Sequence, residues 1–285
     1  MGGKSIASEP QPFLRWAGSK RQLVPELARY WSNGYARYVE PFAGSACLFF
    51  HLAPPKALLA DINRELIITY KQVRSRPAEV AAVLRRLRRG KNTFLQLRKV
   101  NPYVLRLPER AARFIYLNRF CFNGLYRTNR RGEFNVPFGG QKTGAKPTQQ
   151  HLRACSLLLA RATIAANSFE RTLERVRPGD FVYMDPPFSI TARRVFNEYD
   201  ASSFGTEQLR SLRQWMIRLE EMAIPFLVSY ADSHEARQLS RGFHVRATTV
   251  RRSIAGFAGG RAPDTELLIS NRLPSHRGEA GHEGF

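Results

Sequence analysis

The residues with the clearest chemical potential form one short run, FVYMDPPF, from Phe181 to Phe188. Four mostly apolar residues deliver Asp185, and Pro186 and Pro187 follow, which cannot donate to a sheet. Such a run ends a buried strand with a carboxylate and a ring, Phe188, at its tip. Proline pairs also end strands with no further purpose, and a second pair stands at Pro54-Pro55. Other segments must therefore support the chemistry. In VEPFAGSA (Val39 to Ala46), small residues join a strand to a helix. Such a turn lets a ligand approach the backbone, and the helix N-terminus favours a negative group. About twenty residues on, Asp61 ends another apolar run, a place where acids bind ribose hydroxyls in doubly wound sheets; it could equally cap the next helix. FLRWAGSKRQL (Phe13 to Leu23) offers Trp16 to stack on a ring or fill the core, and Lys20 to pair with an anion or face solvent.

The elements that would position these residues alternate. YARYVEPFAGSACLFFHL reads as strand, tight turn and helix, KALLADIN as a strand, and residues 63–75 as a helix. After about residue 150 come a helix (148–162), the strand ATIAAN, the strand FVYMD, a helix (206–222), the strand PFLVSYAD and a helix (233–241). FHVRATTVRRSI and TELLISN read as a terminal strand pair. This alternation predicts an α/β fold with a mostly parallel sheet, in which Glu40, Asp61 and Asp185 all fall at carboxyl strand ends. Residues 78–121 break the pattern with Arg-rich helical segments punctuated by Pro102 and Pro108. FNGLYRTNRRGEFNVPFGGQ follows and reads as a loop or β-hairpin.

Charge separates the same segment. The 285 residues carry a formal net charge of +22. Residues 67–150 hold 19 Lys and Arg against three acids (Glu79, Glu109 and Glu133), a net of +16. Such a concentration repels itself unless a polyanion balances it, which points to nucleic acid. An anionic membrane is the rival, but no long basic amphipathic helix supports it. The start MGGKSIASEP has no apolar secretory core, and three scattered cysteines suit a reducing compartment, so the cytoplasm is expected. No metal-ligand spacing is present, nor a GxGxxG or a properly spaced P-loop.

Six blocks in order then carry a resemblance: RWAGSK, VEPFAGSACLF, LADIN, LNRFCFNGLYRTNRRGEFNVPFG, DPPF and VRRSIAGFAGGRAPDTELL. Over residues 11–271 the chain resembles the Dam-type DNA adenine-N6 methyltransferases. The resemblance implies a Rossmann-like methyltransferase sheet with an inserted, mainly helical DNA-recognition domain. It implies a catalytic domain over 11–66 and 151–273, a recognition domain over 67–150 and a disordered tail over 274–285. The implied cofactor is S-adenosylmethionine, held by Trp16, Ala17, Gly18, Lys20, Glu40, Pro41, Phe42, Gly44, Ser45, Asp61, Ile62 and Asp185. The implied partner is double-stranded DNA, bound by a monomer and probed by Phe122, Asn123, Leu125, Arg127, Asn129, Arg130, Arg131 and Pro137. Arg127 matches a guanine-reading arginine, Phe122 and Asn123 a segment that enters the stack, and Leu125 and Pro137 apolar base contacts. For Arg130 and Arg131 plain phosphate binding is preferred.

The resemblance also explains the opening run. Adenine N6 is a poor nucleophile because its lone pair is delocalised. The Asp185 carboxylate and the Pro186 carbonyl, held rigidly by Pro187, would accept both N6 hydrogens and favour a more pyramidal nitrogen in the transition state. Phe188 would stack on a base taken out of the duplex, and no metal is needed. The expected target is a GATC-like site. Four positions depart from the family pattern: Phe188 stands for the commoner Tyr, Ser19 and Ala46 for Gly, and Gln141 for a base-reading aromatic. The rival readings are RNA or protein-amide methylation on the same scaffold, and a DNA-binding homologue without activity.

Overall fold

The computed structural model describes residues 11–129, 131–140, 143–187, 204–250 and 264–275. Phe188, Arg130, Gln141, most of the VRRSIAGFAGGRAPDTELL block and all but the first two residues of the expected tail lie outside that set.

Among the described residues seven strands form one sheet: β1 (Arg37–Glu40), β2 (Ala57–Asp61), β3 (Ala162–Ala166), β4 (Asp180–Met184), β5 (Phe226–Ala231), β6 (His244–Val250) and β7 (Asp264–Ser270). Their order is β3-β2-β1-β4-β5-β7-β6. β1 pairs in parallel with β2 and β4, and β4 with β5, while β7 runs antiparallel to both β5 and β6. This is the mostly parallel Rossmann-like methyltransferase sheet with an antiparallel C-terminal pair that the alternation and the resemblance predicted.

The chain divides into two compact units. One holds the described residues of Arg21–Ala43, Pro54–Ile62 and Ala165–Phe285, and contains the sheet from β2 to β6. The central strands β4 and β5 are mainly apolar, and every residue of β4 is buried, as expected of a parallel strand inside a sheet. On the helix Thr206–Glu221, Leu209, Leu212, Met216 and Leu219 are buried at helical spacing. They join Val39, Val182, Met184 and Val228 in one core cluster. Each such side chain contributes about 1.5–3 kcal/mol on burial. At the amino end of the sheet, Arg37 clasps Asp180 through two hydrogen bonds (3.1 and 2.5 Å) and fixes β1 beside β4.

The other unit holds the described residues of Met1–Lys20, Gly44–Ala53 and Asn63–Ile164. It is built on the helices Arg64–Ser75, Pro77–Arg86, Lys91–Lys99, Leu107–Phe120 and Gln149–Leu159. Leu107–Phe120 is buried almost all round, with Ala111, Ala112, Phe114, Ile115, Tyr116, Leu117 and Phe120 inside, so it is the centre of this unit. Pro108 does not interrupt a helix here. It occupies the first turn, where a missing N–H costs nothing. The expected hairpin over 122–141 is looser than a ladder, closed by two isolated antiparallel bridges, Cys121↔Phe138 and Thr128↔Phe134. Pro137 cannot donate, and Asn123 (φ 53°) and Gly124 (φ 66°) turn the chain left-handed at its base. Among the described residues no helix is long and apolar enough to cross a membrane.

Candidate active site and nucleic-acid interface

In the sheet unit, strand register brings three acids to one edge. Tyr38 pairs with Ala57 and Phe181, and Val39 with Leu58 and Val182, so β2 and β4 flank β1 in phase. Asp61, Glu40 and Asp185 therefore leave the carboxyl ends of β2, β1 and β4 as neighbours, with Glu40 in the middle. Glu40 is 2 % exposed. Burial pushes its carboxyl well above the usual range, and the charges of Asp185 and Asp61 raise it further. The Tyr38 hydroxyl, which donates to it at 3.0 Å, works in the opposite direction. The central acid thus lies buried between two carboxyl groups that reach solvent more freely.

Asp185 is only partly buried and is held from behind. β5 places Ser229 beside it, and the Ser229 hydroxyl donates to Asp185 Oδ1 at 3.0 Å. Ser229 in turn shares a 2.9 Å hydrogen bond with the Tyr183 hydroxyl. Both partners are fully buried, at 0 % and 1 % exposure. Sequence reasoning missed Ser229, Tyr183 and Tyr38. The available signal was a hydroxyl inside each strand, since a buried hydroxyl must find a partner. Of the other expected residues in this unit, Pro41 and Pro186 are buried, Pro187 is exposed and Ile62 is 66 % exposed beside Asp61. Phe42 packs on the core, stacked on Phe169 at 5.3 Å and edge-on to Phe204 at 5.8 Å. Its ring therefore has a packing role besides the one expected of it.

In the helical unit, Trp16, Gly44 and Ser45 come together. A Cβ on Gly44 would lie 2.9 Å from the Trp16 indole, so only glycine permits this approach. Tyr70 donates to the Gly44 carbonyl at 2.7 Å and fixes the turn. Ser19 shares a 3.0 Å hydrogen bond with Ser45, and the extra side-chain atoms of Ser19 are thereby satisfied within the loop. Lys20 is buried, with its ammonium 3.3 Å from the Gly18 carbonyl. Ala46 sits at φ 50°, ψ 40° immediately before the helix Cys47–Leu52. The glycine expected there has a structural reason, which alanine meets at a conformational cost.

The same unit carries the nucleic-acid candidates on the segment between Cys121 and Gly140. Phe122 and Leu125 are exposed apolar side chains, at 43 % and 38 %. Arg127 is exposed and donates from Nε to Asn135 Oδ1 at 2.8 Å. Asn129 forms the tip: its amide oxygen accepts from the backbone N–H of Arg131 and Glu133, both at 3.0 Å, and its amide donates to Glu133 at 2.8 Å. Its side chain is thus engaged in shaping the turn, while Arg131 and Pro137 are exposed. Below the tip, Tyr126 points inward and stacks near-parallel with Trp16 (centroids 6.3 Å apart, 12° between planes). Phe114 and Phe134 complete its surroundings at 5.3 and 5.7 Å. Among the described residues no group of His, Cys, Asp and Glu is arranged to hold a metal.

A mostly parallel sheet with acids at adjacent carboxyl strand ends is the architecture of the Rossmann-like class of α/β folds. Comparison narrows the class. Residues 16–254 match the D12 class N6 adenine-specific DNA methyltransferase family. The chain is 32 % identical over 270 residues to the Type II methyltransferase M1.LlaDCHI of Lactococcus lactis subsp. cremoris, covering 92 % of this chain and 95 % of that protein. It is 30 % identical over 291 residues to the Type II methyltransferase M.MjaIII of Methanocaldococcus jannaschii, covering 92 % and 99 %. It is 34 % identical over 266 residues to the DNA adenine methylase of Escherichia coli (strain K12), covering 90 % and 93 %. The chain belongs to the D12 class of N6-adenine-specific DNA methyltransferases.

Proposed function

We propose that this enzyme transfers the methyl group of S-adenosylmethionine to adenine N6 in duplex DNA at GATC, on a base flipped out of the helix. The observation that carries the reading is the buried Tyr183–Ser229–Asp185 relay, which orients a carboxylate at the end of β4. The cofactor would supply an electrophilic methyl group on a sulfonium. The residues present suit such a ligand, because Asp61 offers acceptors for ribose hydroxyls and the exposed Ile62 an apolar surface for a ring. We assign Trp16, Ala17, Gly18, Lys20, Glu40, Pro41, Phe42, Gly44 and Ser45 to cofactor binding as well, on the family resemblance.

Asp185 and the Pro186 carbonyl would each accept one N6 hydrogen, and Phe188 would stack on the base. As N6 acquires positive charge in the transition state, a fixed carboxylate stabilises it more than it stabilises the neutral ground state. Orientation of Asp185 by Ser229 lowers the reorganisation needed at that moment. Residues 67–150 form the recognition domain, with Arg127 reading guanine and Phe122 and Asn123 entering the stack. Leu125 and Pro137 touch bases, Arg130 and Arg131 hold phosphates, and Asn129 shapes the turn that presents them.

The test is methylation-sensitive sequencing of DNA from cells that express the chain and lack other adenine methylases. N6-methyladenine confined to GATC supports the whole reading. Adenine methylation at another sequence removes only the GATC assignment, and the absence of methyladenine removes the function.

A further inference from the structure

The positive charge of residues 67–150 separates into two kinds when each cation's partners are traced. Many of these cations have structural work. Arg110 forms a bidentate pair with Glu65, Arg106 pairs with Glu109 (2.9 Å) and Arg76 with Glu79 (3.9 Å). Arg113 donates to the carbonyls of Leu97 and Arg98, and Arg119 to that of Ala145. The turn between the helices Pro77–Arg86 and Lys91–Lys99 is different. Residues 85–91 read RRLRRGK, five cations and no acid, and every one of the five is exposed. Arg89 lies over the Phe120 ring at 5.6 Å. No ion pair or hydrogen bond among the described residues engages the side chains of Arg85, Arg86, Arg88 or Lys91.

The ordinary explanation for Arg85 and Arg86 is that cations cap a helix C-terminus. That duty is already taken. The Lys146 ammonium donates to the carbonyls of Leu84 and Leu87, both at 2.6 Å, and closes the end of Pro77–Arg86. The arginines beside it are left with mutual repulsion and no local compensation, so the balancing anion lies outside the protein.

The patch also adjoins the base-reading segment. Phe94, one turn along Lys91–Lys99, is fully buried against Phe138 (5.4 Å) and Phe134 (6.4 Å), which underlie that segment. One turn of helix is about 5 Å, so Lys91 stands roughly that far along the axis from the point of contact. A duplex carries one phosphate charge per about 1.7 Å of its axis and extends past any short target.

Resting on the reading as a DNA methyltransferase, we infer that the 85–91 turn is a second phosphate-binding surface, separate from the hairpin, which holds duplex DNA outside the recognised bases. It carries no sequence information. It lengthens the footprint and strengthens binding to long DNA.

The test compares the parent with the fourfold variant Arg85→Gln, Arg86→Gln, Arg88→Gln, Lys91→Gln, and with Arg85→Lys, Arg86→Lys, Arg88→Lys. Affinities are measured against salt for duplexes of about 12 and about 30 base pairs containing one target, and thermal melts check that each variant is folded. The parent should bind the long duplex more tightly than the short one. The fourfold variant should lose that preference, and its log–log salt slope on long DNA should be shallower by about 2–3, at about 0.9 per phosphate contact. The lysine variant should keep the parent slope. A folded fourfold variant with the parent's slope and length preference overturns the inference and leaves the methyltransferase reading intact. Binding of phosphatidylserine vesicles through these residues, with no length preference for DNA, also overturns it. If the parent neither binds nor methylates either duplex, the functional reading fails as well.

Discussion

At the scale of single residues, the candidate site separates side chains that act from side chains that hold them. On the role proposed for Asp185 in the transition state, Asp185→Ala should abolish methyl transfer in single-turnover assays while DNA affinity stays within about threefold of the parent. Transfer rates within about threefold of the parent would remove Asp185 from its catalytic role. Ser229→Ala should lower the single-turnover rate less than Asp185→Ala, by roughly tenfold, since it loosens the carboxylate without deleting it. An unchanged rate would show that the relay is only structural. Glu40 gives a pH prediction with a definite sign. Its folded pKa is raised by burial, so its stabilising contribution is complete below the ordinary carboxyl pKa and is lost as pH rises through the raised value. Across that window Glu40→Gln should gain stability relative to the parent as pH increases, by up to about 1.4 kcal/mol per pH unit. Urea melts at several pH values would reveal it, and a difference independent of pH would refute it. The acids themselves were legible in the sequence, because each ends an apolar strand. Their partners were not. Nothing local marks Ser229 as the neighbour of Asp185, since the contact exists only through the β4–β5 register, in which Met184 lies opposite Val228.

Elements show the same division. Strands and helices were legible from apolar run length and periodicity, and the observed strand Phe226–Ala231 lies inside PFLVSYAD. The segment from Cys121 to Gly140 was readable as a turn-rich hairpin, but its side-chain alternation was not. Leu125 and Arg127 face outward while Tyr126 between them stacks on Trp16, more than a hundred residues away in sequence. Left-handed Ala46 was visible as a departure from glycine, and its cost only from its φ of 50°. Ala46→Gly should therefore stabilise the fold by about 1 kcal/mol, because a left-handed non-glycine residue costs about 1–2 kcal/mol and glycine adds some chain entropy to the unfolded state. Thermal or urea unfolding would measure it, and destabilisation would mean that the turn relaxes instead of bearing strain. The hairpin itself is tested by comparing Arg127→Ala with Arg131→Ala on GATC and its single-base variants. Arg127→Ala should erode discrimination at one base by about 1–3 kcal/mol, roughly 5- to 150-fold. Arg131→Ala should weaken all sites alike. A uniform loss in the Arg127 variant would leave the hairpin as an electrostatic clamp without a base-reading arginine.

For the whole molecule, the question is how much of the +22 charge is available to DNA. Internal pairing answers part of it. Arg37 is committed to Asp180, Arg110 to Glu65 and Arg246 to Glu26, and these ion pairs hold the fold whether or not DNA is present. They release no counterions on binding and add nothing to the salt dependence. The exposed cations of residues 67–150 remain, in the hairpin and in the 85–91 turn. At about 0.9 per neutralised phosphate, four or more contacts predict a log–log slope of binding against salt of about −3.6 or steeper. Non-specific and target DNA should share most of that slope, because phosphates are present in both, and should differ mainly in the salt-independent intercept contributed by base contacts. Fluorescence anisotropy with one target duplex and one scrambled duplex over a range of salt concentrations makes both measurements together. A slope shallower than about −2 on both would mean that the basic segment does not face the duplex at all. A steep slope on the target alone would mean that its cations engage phosphates only in the specifically docked complex.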